Sequence, residues 1–166
     1  MKKYIKLIVS IVFFLYLIVL SERILFKYVP LSQIVSHFNF SSNQYHWHSS
    51  NFIPFKTIIF YLFLTDINLT IRISNLVGNI IGFMPFGMMF PLLFNRYLNL
   101  KSISIATFCL SLTYEVLQLL FNFGSFDVDD LILNTFGGMI GFLVISLILT
   151  IVKFATKHEK DRSSMY

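Results

Sequence analysis

Charge is scarce in this chain: Asp, Glu, Lys and Arg together make up 13% of its 166 residues, against 56% hydrophobic residues and 20 Phe. A soluble domain carries about a quarter charged residues, so a mainly water-borne fold is excluded. There is one cysteine, Cys109. It rules out an internal disulfide and a thiolate metal cage, and it reads as a small core residue. The sequence also has no Ser-His-Asp set, no paired-histidine phosphatase pattern and no glycine-rich nucleotide loop, which removes the familiar hydrolase and nucleotide-dependent classes. No small-x-small cleavage site follows the first apolar run, where the chain reads SERILFKYVP, so that run is expected to stay as an anchor. The net charge of +5 is divided among separate segments. With no single basic patch, nucleic acid is not an expected partner.

Long apolar runs fill the space that charge leaves. A membrane span needs about 20 mostly apolar residues, and helices satisfy their own backbone hydrogen bonds in lipid. Four stretches qualify, at about 5–25, 73–94, 102–122 and 130–152. The expectation is an all-α integral membrane protein, a single membrane domain over 1–166 with four transmembrane helices. Between the first two spans, residues 37–50 (HFNFSSNQYHWHSS) are polar and aromatic, and residues 52–64 (FIPFKTIIFYLFL) are apolar but too short to cross. The second piece, opened by Pro54 and carrying Lys56, suits an interfacial or re-entrant segment, and Tyr45, Trp47, Phe52 and Phe55 suit an interfacial aromatic belt. His37, His46 and His48 invite a metal, but no carboxylate lies close in sequence to complete the set. No metal or cofactor is expected.

Orientation follows from the bases. Lys2, Lys3 and Lys6 precede the first span, Arg96 and Lys101 flank the short second loop, and Lys153, Lys157, Lys160 and Arg162 follow the fourth span, whereas the loop before that span carries Asp127, Asp129 and Asp130. The positive-inside rule then places both termini in the cytoplasm and the long first loop and the acidic loop outside. Arg23, Lys27, Lys56 and Arg72 in the first loop pull mildly the other way, but long loops are weak topology signals.

A pattern recurs inside the spans. NLVGNIIGF (Asn75, Gly78, Gly82) and NTFGGMIGF (Asn134, Gly137, Gly141) both read Asn-x-x-Gly-x-x-x-Gly-Phe. Glycines four apart let helices approach closely, and an asparagine in lipid needs a partner. Ser111, Glu115, Gln118 and Asn122 lie four, three and four apart, hence on one helix face. Asp127, Asp130, Asn134, Gly137 or Gly138 and Gly141 repeat that spacing, as do Asn75, Asn79, Gly82 and Phe86. Three spans thus carry one polar or small stripe each, and four-helix packing would turn all three inward.

Depth sharpens the convergence. In this topology Asn75, Asn79, Asp130 and Asn134 lie in the outer half of the membrane, and Glu115 sits about seven residues, roughly 10 Å, below the outer end of its span. Ser21, Glu22 and Arg23 reach the same level. The expected cluster therefore faces the outer leaflet or the exterior. Intramembrane carboxylates cost about 2.5 to 3.5 kcal/mol on insertion scales, so their collection at one depth asks for a function. The plain structural reading is that Glu115 is a neutral acid holding Gln118 or Asn134, with the glycines as packing alone. Asp129 reads as solvated, Asp127 and Asp130 as helix-capping, and Pro85 between Gly82 and Gly87 as a hinge.

NFIPFKTI (51–58), NLVGNIIGFMPFGMMFP (75–91), SLTYEVLQLLF (111–121) and FDVDDLILNTFGGMIGF (126–142), in this order, resemble the VanZ family of bacterial membrane proteins. The resemblance covers about the last two thirds of the chain. It carries over Asn51, Pro54 and Phe55; Asn75, Asn79, Pro85, Phe86 and Gly87; Glu115 and Gln118; and Asp127, Asp130, Asn134, Gly137, Gly138 and Gly141, with no departure. The family, named for a teicoplanin-resistance protein, implies an envelope function and lowered sensitivity to teicoplanin by a route other than remodelling the peptidoglycan terminus. It implies no known catalytic mechanism.

Three functions are compatible with these residues. The first is a pocket of Glu115, Gln118, Asp127, Asp130 and Asn134, framed by Asn75 and Asn79, that engages the head group of an outer-leaflet amphiphile. Membrane lipids, a lipid-linked cell-wall precursor and a lipoglycopeptide are the expected partners. The second is an enzyme acting on an envelope lipid or glycan, with Glu115 and Asp130 as acid and base. The third is a small transporter, suggested by the parallel repeat, although the polar stripes thin out toward the cytoplasm.

Overall fold

The computed structural model describes residues 3–26, 50–64, 68–94, 99–121 and 123–163, and these are mainly helical with no strand among them. His37, Tyr45, His46, Trp47 and His48, together with Lys2, Lys27, Arg96 and Asn122, lie outside the described residues. The helices are α1 (Lys3–Leu25), the one-turn α2 (Lys56–Ile59) running into a π-helical turn (Phe60–Leu64), α3 (Leu69–Leu93), α4 (Leu100–Leu120) and α5 (Val128–Ser163). Among the described residues α1, α3, α4 and the Val128–His158 part of α5 are long and apolar enough to cross a membrane. These are the four spans expected from composition.

Local chemistry sets where they begin and end. Asn68 caps α3 by accepting the Thr70 N–H at 3.0 Å, and Asn99 caps α4 by accepting that of Ser102 at 2.8 Å. Each cap satisfies a backbone donor that has no partner within its own helix. That is why α3 starts four residues before the apolar run would place it. At the other end of α4, the Phe121 and Phe123 N–H groups close back on the Leu117 and Gln118 carbonyls, so the helix stops at Leu120. Meanwhile α5 continues past the apolar window into its basic tail.

Packing is uneven. The closest approach is between α3 and α5, and there it is glycine that permits contact. A Cβ on Gly137 would stand 2.1 Å from the Ile80 carbonyl oxygen, one on Gly141 2.0 Å from that of Met84, and one on Gly87 1.9 Å from that of Gly138. The two backbones therefore touch. By contrast Gly78 has nothing within 4 Å of its Cβ position, and Gly82 only Leu20 at 3.7 Å. The two copies of the repeat are not equivalent: the second is a packing seam, and the first faces open space. Cys109 is another correction, since it is exposed on the outside of α4 and not in the core. Pro85 and Pro91 lie inside α3, which continues helical through both.

Candidate functional site

A cavity of about 740 Å³ opens at one end of the bundle. Its walls come from the second half of α1, the first half of α3, the end of α4, the start of α5 and the α2 segment, which all meet there because the long helices alternate in direction along the chain. Among its lining residues are Asn75, Asn79, Glu115, Gln118, Asp127, Asp130 and Asn134. The polar stripes of three helices thus converge on one space.

Each side chain is held differently. Glu115, 2% exposed, accepts the Asp127 backbone N–H at 2.8 Å through Oε2, tying α4 to the lead-in of α5. Asp127 is the N-cap of α5, accepting the Asp129 N–H at 2.9 Å. Its carboxylate also takes Asn51 Nδ2 at 2.9 Å and the Thr57 hydroxyl at 2.7 Å. Asp130 accepts Asn79 Nδ2 at 2.5 Å and joins α5 to α3. Gln118 donates to the Ile24 carbonyl at 3.0 Å, which fastens the end of α1. Asn134 donates to Ser111 Oγ at 2.8 Å. Its own Oδ1 is buried without a partner. Asn75 donates to the Ile71 carbonyl of its own helix at 2.9 Å.

Asp129 corrects the sequence reading most sharply. It is fully buried, not solvated. Its carboxylate accepts the backbone N–H groups of Phe55 at 2.5 Å, Thr57 at 2.7 Å and Ile58 at 3.1 Å. It therefore caps α2 from a distant part of the chain. The turn that leads into α2 explains the need. Lys56 N–H bonds to the Ile53 carbonyl, Pro54 occupies the second position, and Phe55 takes a left-handed conformation with φ 67° and ψ −1°. This is a type II turn with Pro where it is favoured and Phe where glycine is the usual residue. A bulky side chain there costs of order 1 to 3 kcal/mol and persists because the surroundings hold it. A backbone pairing completes the dock: Asn51 N–H reaches the Phe126 carbonyl at 2.7 Å, and Val128 N–H reaches the Asn51 carbonyl at 3.0 Å. The 50–58 segment is thus stitched to the start of α5 beside the cavity mouth, where Thr57 and Tyr61 join the lining.

Two tyrosines escaped the sequence reading. Tyr16 on α1 donates to the Gly82 carbonyl at 2.8 Å, and the Tyr114 hydroxyl meets Ser21 Oγ at 2.8 Å. Both join α1 to the other helices. Tyr114 immediately precedes Glu115, but Tyr16 lies in an unbroken apolar run that gives no sign of a partner.

A family model described as VanZ/LLP1 matches residues 13–149. Protein VanZ of Enterococcus faecium is 32% identical over 133 residues, an alignment that covers 80% of this chain and 70% of that protein. No solved structure matches.

Proposed function

This chain belongs to the VanZ/LLP1 family and is a multi-pass membrane protein, and from that premise we propose that its cavity takes the polar end of an envelope amphiphile and that the protein lowers sensitivity to teicoplanin-type glycopeptides. The observation that carries this reading is the cavity itself. Its lining holds five polar side chains, Glu115, Gln118, Asp127, Asp130 and Asn134, together with the side-chain-free positions Gly78 and Gly82. A head group is served by the first and an alkyl chain by the second.

Orientation in the cell membrane belongs to the same proposal. Lys3 and Lys6 at the start of α1, Lys101 at the start of α4, and Lys153 and Lys157 late in α5 occupy the end opposite the cavity. By the positive-inside rule that end is cytoplasmic, with both termini, and the cavity opens outward. The ligand is then a lipid-linked cell-wall precursor or a lipoglycopeptide drawn from the outer leaflet.

The test is made in a glycopeptide-susceptible bacterium expressing the chain. The unaltered protein raises the tolerated teicoplanin concentration, and Glu115→Gln and Asp130→Asn each abolish that protection at normal membrane levels. Full protection by both variants, or none by the unaltered protein, would falsify the reading.

A further inference from the structure

We propose that the amphiphile enters the cavity sideways from the lipid, through a slit between α1 and α3, leaves its alkyl chain in that slit and gives Asn134 a hydrogen bond from its head group; this rests on the reading that the cavity binds an amphiphile. The slit is traced by lining residues that are also exposed, since at such a residue the wall opens to the surroundings. On α3 these are Ser74, Gly78 and Ile81, four and three apart and hence on one face. On α1 they are Val19, Glu22 and Arg23. Among the described residues nothing stands within 4 Å of a Cβ position at Gly78. Farther from the cavity end of the bundle the slit closes: Leu20 lies 3.7 Å from the Cβ position of Gly82, and Tyr16 donates to the Gly82 carbonyl at 2.8 Å. From Ser74 to Gly82 the open edge runs about 12 Å at 1.5 Å per residue.

This edge lies within two membrane-length helices, Lys3–Leu25 and Leu69–Leu93, so lipid is what surrounds it. Val19 and Ile81, on its two lips, are apolar and each more than half exposed. Of the four spans α1 is also the least buried, and at this level it is tied to its neighbours by the Tyr16–Gly82 and Ser21–Tyr114 hydrogen bonds. An alkyl chain that passes from the lipid tails into the slit stays out of water throughout. Entry from the end of the bundle would carry the chain through water, at a cost that grows with every CH2 exposed. The side route is therefore the one an anchored amphiphile takes.

Asn134 indicates the ligand independently of the slit. It lines the same cavity and is 4% exposed, its amide nitrogen is committed to Ser111, and among the described residues its Oδ1 accepts from nothing. A buried acceptor left without a donor is costly, so the group that belongs beside it carries an O–H or N–H. A sugar hydroxyl or an amide qualifies, and a choline head group, which has neither, does not. Chain and donor together fix the orientation, with the head group inward at α5 and the chain outward between α1 and α3.

The experiment uses the full chain carrying Cys109→Ser and Gly78→Cys in phosphatidylcholine nanodiscs, labelled with a lipid-soluble maleimide or with a charged, water-soluble one. The lipid-soluble reagent reacts much the faster, and decyl glucoside at saturation slows it several-fold. A cysteine in place of Ile105, exposed on α4 and outside the cavity lining, is labelled but not protected. Asn134→Ala raises the decyl glucoside needed for protection about fivefold, as expected for one neutral hydrogen bond, and leaves protection by decylphosphocholine unchanged. Val19→Cys on the opposite lip gives the same readings and decides the matter if Gly78→Cys does not fold. Faster labelling by the charged reagent overturns side entry, and an equal effect of Asn134→Ala on both amphiphiles overturns the head-group contact. Direct binding of decyl glucoside to the unaltered protein separates the remaining cases: binding without protection overturns the slit while leaving an amphiphile cavity standing, and no binding above the empty nanodisc overturns both.

Discussion

Asp127, Asp129 and Asp130 occupy four consecutive positions with Val128, yet each does a different job. Asp127 caps its own helix, Asp129 caps a helix about seventy residues away, and Asp130 reaches across to α3. Capping by Asp127 was legible, because an acid just before an apolar helical run has one common use. The partner of Asp129 was not, because nothing in sequence spacing says that the NFIPFKT turn returns to the start of α5. The nearest available signal was the pair itself: Pro54-Phe55 in a turn, which leaves N–H groups needing an acceptor, and an acidic residue beyond what the α5 cap requires. Asp129→Ala strands three backbone donors, and a buried unsatisfied donor costs about 1 to 3 kcal/mol. The expected result is a loss of several kcal/mol at the dock. Trypsin should then cut after the exposed Lys56 much faster than in the unaltered protein, while the four long helices persist by circular dichroism. An unchanged cleavage rate would show that the carboxylate does not hold the segment.

Helices α3 and α5 carry the same nine-residue pattern and run the same way, but their glycines have opposite surroundings. In α5 the missing side chains admit the α3 backbone, and in α3 they leave room beside α1. Periodicity located both stripes, and it cannot tell which face of a helix meets a neighbour closely and which meets a void. Substitutions should separate the two. Gly141→Val drives methyls into the Met84 carbonyl, and overpacking of this kind costs about 1 to 3 kcal/mol, seen as a lower melting temperature in detergent. Gly78→Ala meets open space and removes a helix-interior glycine, a change worth up to about 1 kcal/mol in helix propensity, so its melting temperature should hold or rise. Equal losses in both would mean that the first copy also packs.

As a whole the molecule is a bundle with the polar cavity at one end, where the 50–64 segment docks, and a set of helix-end lysines at the other. Its orientation can be measured in a Cys109→Ser background, which removes the exposed native thiol. A cysteine placed at Thr70 in the first turn of α3 should react with an impermeant thiol reagent on intact cells, and one placed at Lys157 only after the cells are opened. The reverse pattern would turn the cavity to the cytoplasm and end the proposal for an outer-leaflet ligand. Composition and period alone determined that the chain has four membrane-length helices and that each of three carries a polar stripe. Those properties depend on local solvation and on 3.6 residues per turn, which any reader of the sequence can apply. Only the tertiary structure decided that Asp129 is buried, that the two glycine pairs differ, and that Asn134 keeps an acceptor without a donor. Each of these depends on which distant atoms come within about 3 Å, the reach of a hydrogen bond, and that is set by packing between helices, not by spacing within one.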